Sequence, residues 1–239
     1  MTDSTLDPCR VELRAGADRG ATRSGGLAGR HHFSFAAWQR ADRLEWGRLR
    51  ALNEYRLEPG AVRPPTFHSG FDILTLVTGG QLRRLGGYGS RRLLGAGSAE
   101  LISAGRGVDL GVEAVGKEPA HYVEIWLRTG PGRREPRREW RPQASEGLTV
   151  PIAEGPKARE GALRMRATGR VHRASLAAHR RAEFGLANDE CAYLSISRGA
   201  VQINGLAGEA GDAFAVSGPG SLTVKADQAA ELLLVVTAS

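Results

Sequence analysis

The sequence is short of cysteine, lysine and aromatic residues, and it has no long apolar run. Its 239 residues include two cysteines, Cys9 and Cys191. That is too few for a disulfide framework, and the lack of any Cys-x-x-Cys spacing excludes a cysteine-rich zinc site. No apolar stretch approaches the roughly 18 residues that a membrane span requires, and the start, MTDSTLDPCR, has no apolar core. The expected location is therefore the cytoplasm, with no signal peptide and no membrane partner. There is no Gly-x-Ser-x-Gly elbow, and Gly86-Gly87-Tyr88-Gly89 is not followed by Lys-Ser/Thr. A hydrolase nucleophile of that type and a phosphate-cradling loop are both excluded.

What is plentiful is arginine and glycine. Only three of the 33 basic residues are lysines, Lys117, Lys157 and Lys225. The net charge is +7, but after Arg181 two cations face seven acids, so that region carries −5 and the first 181 residues about +12. The densest cluster, Arg128, Arg133, Arg134, Arg137, Arg138 and Arg141, is interrupted by Glu135, Glu139 and three prolines. It reads as a solvated linker. With no zinc finger, helix-turn-helix or aromatic RNA-binding strand beside it, the pattern argues against a nucleic-acid partner.

Helical periodicity is scarce, and short alternating segments recur. In His121 to Arg128, residues Val123, Ile125 and Leu127 alternate with Tyr122, Glu124 and Trp126, the period-2 pattern of a strand with one face in a core. Similar segments are Leu49 to Leu57, Ile73 to Thr78, Ala99 to Ser103, Leu163 to Thr168, Tyr193 to Ser197, Val201 to Asn204, Leu222 to Lys225 and Glu231 to Thr237. With 32 glycines punctuating them, an all-β sandwich or barrel is predicted. The predicted division is a tail and loop over 1–30, a first β-domain over 31–130, an Arg/Pro-rich linker over 131–147 and a second β-domain over 148–239. His31 and His32 are read as structural, because neighbours on a strand point to opposite faces and cannot readily chelate one ion.

One segment carries a distinctive spacing: Gly60, five residues, Thr66-x-His68, three residues, Asp72, six residues, Gly79. It resembles the first signature of the cupin superfamily, Gly-x5-His-x-His-x3-Glu-x6-Gly, with Thr66 at the first His and Asp72 at the Glu. Gly89-x5-Gly95-Ala96-Gly97 echoes the second signature. Within cupins the sequence resembles the pirin family, through His32-Phe33-Ser34-Phe35-Ala36, Phe71 to Gly80, Ser103 to Val108, Glu118-Pro119-Ala120-His121 with Ile125-Trp126-Leu127, and Tyr193 to Leu234.

The resemblance implies a bicupin: two β-barrel (jelly-roll) domains packed against each other. Pirins commonly hold one metal ion, often iron, through three His and one Glu in the N-terminal barrel. Some resemble quercetin dioxygenases in activity, and others regulate a transcription factor or an enzyme. Carried over by position, the ligand set here is Thr66, His68, Leu110 and Val112, so three of four ligands are replaced. Glu113, Asp72 and His121 are the available substitutes beside His68. Glu113 is one residue out of phase with Val112 and needs a bulge to turn inward. The expectation from these replacements is a pirin-like protein that has lost its metal centre, expects no cofactor, and acts as a non-catalytic binding or regulatory protein. It would take a protein partner or a small-molecule ligand in the N-terminal barrel. The alternative is a quercetinase-like dioxygenase, an oxidoreductase that uses iron or another divalent transition metal in an atypical site.

Overall fold

The computed structural model describes residues 9–87, 92–130, 134–143 and 148–239. Gly89 of the second signature, Tyr88, Arg133, and parts of the 1–30 and 131–147 segments lie outside these residues. In chain order the strands are β1 (Arg10–Arg14), β2 (Gly20–Ser24), β3 (Leu27–His31), β4 (Leu49–Leu57), β5 (Val62–His68) and β6 (Phe71–Gly79). Next come β7 (Gln81–Gly86), β8 (Leu93–Gly95), β9 (Ser98–Ser103), β10 (Val108–Ala114), β11 (Ala120–Arg128) and β12 (Arg137–Pro142). The remainder are β13 (Thr149–Glu154), β14 (Leu163–Arg164), β15 (Gly169–Leu176), β16 (Arg181–Leu186), β17 (Glu190–Arg198) and β18 (Ala200–Ile203), then β19 (Leu206–Glu209), β20 (Ala213–Ser217), β21 (Gly220–Ala226) and β22 (Ala230–Ala238). No helix among the described residues is long and apolar enough to cross a membrane.

The chain forms two compact units. One contains residues 19–145 and 152–168; the other contains 1–18, 146–151 and 169–239. Residues 10–14, within the stretch that composition suggests is a tail, pair antiparallel with β20. Residues 137–142, in the Pro- and Arg-rich stretch, pair with β9 as strand β12.

The N-terminal unit consists of a sheet in the order β12-β9-β6-β11-β4-β3-β2 facing a smaller one in the order β5-β10-β7-β8. The C-terminal unit repeats the plan, with β20-β17-β22-β15 in one sheet and β16-β21-β18-β19 in the other. All-β architecture in two lobes is as expected, but the jelly-roll barrel is not. Every sheet ends in edge strands, such as β5 and β8 or β16 and β19, and none closes on itself. The units are open sandwiches of two sheets. Period-2 patterning reports which face of a strand is apolar; closure depends on which edges meet, and no residue pattern records that.

The repeat extends to its turns. Gly80 follows β6 at φ +63°, and a Cβ there would lie 2.4 Å from the Pro119 carbonyl oxygen. Gly199 follows β17 at φ +82°, and its Cβ would lie 2.3 Å from the Ala229 carbonyl oxygen. At both turns only glycine supplies the left-handed conformation and the close backbone approach.

Strand β11 is buried on both faces over its second half: Glu124, Ile125 and Leu127 are all inaccessible. Tyr122, Glu124 and Trp126 look into the sandwich, so its interior is lined by the mixed polar and aromatic face of the alternation.

Candidate functional site

The site begins with a bulge. Strand β5 runs antiparallel to β10, with His68 opposite Val108 and Thr66 opposite Leu110, but Val112 lies opposite Arg63. Pro64 and Pro65 have no N–H to give to the ladder, and β5 accommodates an extra residue there. The bulge presses on Gly111, where a Cβ would lie 2.6 Å from the Pro65 nitrogen. Arg63 is an odd number of residues from Thr66 and in a regular strand would point outward. The bulge turns it inward, onto the same side as His68.

Inside, Arg63 makes a two-pronged ion pair with Glu124, at 3.0 and 2.6 Å. Trp126 Nε1 donates to the same carboxylate at 3.0 Å. The Arg63 guanidinium lies over the rings of Tyr55 and Tyr122, 5.0 and 5.7 Å from their centroids. Burial opposes ionisation of Glu124, but the charge and hydrogen bonds of Arg63, the field of Arg84 and the Trp126 donor together hold its carboxyl below the usual range. A second buried network lies nearby. Arg84 donates to Glu100 at 2.7 Å and to Thr75 at 2.9 Å, and Arg138 donates to the other Glu100 oxygen at 2.5 Å.

Above these charges sits His68. Its Nε2 is 3.0 Å from Thr66 Oγ1, and its ring meets Trp126 edge-on at 4.8 Å. Phe35 and Phe71 pack on the same indole at 5.4 and 5.7 Å. Phe67, between Thr66 and His68 on β5, points to the opposite face of the strand; it is 66% exposed and lies against Gly107, where a Cβ would come within 2.3 Å of its ring. Burial lowers the His68 pKa; Glu124 pushes it back up, and the positive fields of Arg63 and Arg84 lower it again. Burial and the two arginines thus disfavour protonation of this partly buried imidazole, which is held against Trp126. Its position is relayed from Arg63 through Glu124 and Trp126.

The other residues at the family's ligand positions do not complete an ion site. Leu110 packs with Ile73, Ile102, Ala104 and Val108. Val112 belongs to a different apolar cluster, with Tyr55, Leu82 and Tyr122. Glu113 points away from the interior and pairs with Arg83 at 3.1 Å. Asp72 is fully buried and accepts the backbone N–H groups of Arg166 and Ala167 at 2.6 and 2.7 Å. His121 is exposed on the outer face of β11, opposite Arg56. No group of three or more His, Cys, Asp or Glu side chains converges on an ion position among the described residues. One imidazole, one hydroxyl and two aliphatic side chains do not fit a three-His, one-Glu centre, which needs several convergent donors. The fields of Arg63 and Arg84 at His68 add like charge against a cation. Beneath Leu110, a void lined by Arg84, Ile102, Val108 and Arg138 is too tight for a water molecule.

A family model described as "Pirin" matches residues 14–127, and one described as "Quercetinase C-terminal cupin domain" matches residues 153–235. The chain is 33% identical over 95% of its length to the whole of a Pseudomonas aeruginosa protein named "Putative quercetin 2,3-dioxygenase PA1210". This chain belongs to the pirin family. It is also 26% identical to the quercetin 2,3-dioxygenase of Escherichia coli, over 94% of this chain and 97% of that one. Among solved structures it resembles the bacterial pirin YhhW of Escherichia coli in complex with nickel(II), with a TM-score of 0.90 at 26% identity, covering 96% of this chain and 99% of that one.

These relatives correct the expectation of a non-catalytic regulator that has lost its metal. Replaced ligands point away from catalysis, but proteins named as dioxygenases match along nearly the whole chain. The better-supported reading is the catalytic alternative, a metal-dependent quercetinase-like dioxygenase with an atypical site, although no cluster of donors for its ion is formed among the described residues. The residues that sequence reasoning missed are Arg63, Glu124, Arg84 and Glu100. A Glu at an alternating position between two aromatics, Tyr122 and Trp126, was the one available signal. Its partner is placed by the bulge, which the Pro64-Pro65 pair foreshadows.

Proposed function

We propose that the chain is a quercetin 2,3-dioxygenase-like oxidoreductase whose reacting site is the aromatic rim around His68. The observation that carries this reading is an imidazole held edge-on to Trp126 and hydrogen-bonded to Thr66, with Phe71 packed on the same indole. A flavonol is planar and aromatic, and Phe35, Phe71 and Trp126 offer faces and edges on which it can stack. The His68–Thr66 pair receives the proton of the enolic hydroxyl, and the buried Arg63 and Arg84 charges favour the resulting anion. O2 adds at C2 and C4 of the flavonol anion, the C2–C3 and C3–C4 bonds and the O–O bond break, and C3 leaves with its oxygen as carbon monoxide, so both oxygen atoms end in the ring-opened ester and no external reductant is required. The reading does not route any step through an ion, because the side chains at the family's ligand positions do not fit one. Two buried free thiols, Cys9 and Cys191, accord with a reducing compartment, and we place the protein in the cytoplasm.

The test is oxygen uptake with quercetin, using protein as purified and after incubation with iron or nickel. Uptake is expected in the wild type, with a loss of about 10²-fold or more in His68→Ala and no loss in the surface control Arg83→Gln. Absence of uptake under all these conditions overturns the reading.

A further inference from the structure

A hollow in the N-terminal unit lies on the opposite face of the β4–β11 sheet from His68. It has a volume of about 360 Å³, within the range of small-molecule sites. The sheet register explains why it exists. Arg23 lies opposite Ala28, Ala28 opposite Arg56, and Arg56 opposite His121, so these four form one row across β2, β3, β4 and β11. Two residues further along the strands, Ala21 lies opposite Arg30 and Arg30 opposite Glu54. Directly opposite residues share a face, and Arg23, Arg30, Arg56 and His121 are all exposed. Short alanines ringed by long guanidinium side chains leave a basin with an apolar floor and a cationic wall.

The carboxylates nearby are already engaged. Glu54 accepts from Arg19 at 2.9 Å, and Glu58 pairs with Arg56. Arg23 and Arg30 have no carboxylate partner among the described residues. Two unneutralised guanidinium forks therefore flank the basin, in the geometry that grips phosphate oxygens through paired N–H donors. His121 supplies a further ring nitrogen at the far side. Glu54, at the margin, can accept hydroxyl hydrogens but repels a second phosphate.

We propose that this basin binds a small phosphomonoester, a phosphate carried on a hydroxylated organic group, with Arg23 and Arg30 as its principal contacts. Nothing in this assignment depends on flavonol chemistry at His68, which lies across the sheet.

The test is calorimetric titration of the full chain with ribose 5-phosphate, with ribose and duplex DNA as comparison ligands. Ribose 5-phosphate should bind in the millimolar range or tighter, weaken with added salt, and outcompete both comparison ligands. The double variant Arg23→Gln/Arg30→Gln should weaken it about tenfold or more. Ala28→Glu, which keeps every arginine but sets a carboxylate between Arg23 and Arg56, should abolish it. Arg83→Gln, on another sheet, should leave it unchanged. No binding at about 10 mM, tighter binding of DNA, or equal affinity in the double variant and Ala28→Glu relative to wild type would each refute the assignment.

Discussion

The two units share one plan and fill it with opposite chemistry. Strands β6 and β17, β10 and β21, and β11 and β22 are equal in length and occupy matching places in their sheets, so they correspond residue by residue. Glu124 then matches Leu234, and Thr75 matches Leu194. Through the cross-strand pairs, Arg63 matches Ala182, Arg84 matches Ile203, Glu100 matches Phe214, Thr66 matches Phe184 and His68 matches Leu186. Every member of the N-terminal polar network faces an apolar counterpart. The C-terminal interior is one apolar cluster of Ala, Leu, Ile, Val and Phe, whereas the buried charges of the N-terminal unit lie with two separate clusters. A fold that is stable with a dry core in one copy does not need buried ion pairs. Their presence in the other is a cost in desolvation, which makes that unit the place to look for a functional site.

The sharpest way to break the comparison is to write one core into the other. Leu234→Glu places a carboxylate where Ala182 and Ile203, not two arginines, would face it. Its loss of stability should exceed that of any other single change here, because the ion has no partner; a urea midpoint close to wild type would show that the two interiors are not equivalent.

The reverse change, Glu124→Leu, strands Arg63 in the sandwich and should cost about 3–5 kcal/mol in urea unfolding. Adding Arg63→Ala, which recreates the Ala182/Leu234 pair, should recover much of that. The double variant should nevertheless lose oxygen uptake, because Trp126 and with it His68 are no longer held by Glu124. Full activity in a stable double variant would mean that the relay from Arg63 to His68 has no positioning role.

A smaller effect should appear with pH. Burial lowers the His31 pKa, its bond to Asn53 works the other way and His32 lowers it further. The unfolded chain therefore takes up this proton first. The contribution to stability is present above the unfolded value of about 6.5 and is lost as pH falls through the lower folded value. Melting temperature should drop between pH 7.5 and 5.5, and His31→Gln should flatten that part of the profile.

The smallest effect is expected at Glu113. Its pair with Arg83 is partly exposed, with side chains 28% and 36% accessible, so Glu113→Gln should change stability by under about 1 kcal/mol. Oxygen uptake should be unaltered; a large loss of activity would restore Glu113 as a member of the site.

Much of this was legible in the residues. Alternation along β6, β9, β11, β17 and β22 declares strands, because half-buried pleats require period 2; the spacing from Gly60 to Gly79 points to the cupin superfamily, and the motifs from His32 to Ala36 and Ser103 to Val108 to the family within it. The same spacing puts Thr66 and His68 on one face, and their side chains lie 3.0 Å apart. Arg63 was not legible, because its direction depends on one extra residue in β5. Nor were the pairing of β1 with β20 and the open sheets, since they depend on which edges meet.

The residues alone settle strand content, an all-β chain in two lobes, and the replacement of three of the four residues at the family's ligand positions. These follow from local periodicity and from residue identity at fixed spacing. Only the tertiary structure decided what replaced the lost donors. A bulge at Pro64-Pro65 swung a guanidinium into the sandwich, where it met a carboxylate from a strand 61 residues away. Such a pairing depends on register and close approach between distant strands, and no local pattern encodes either.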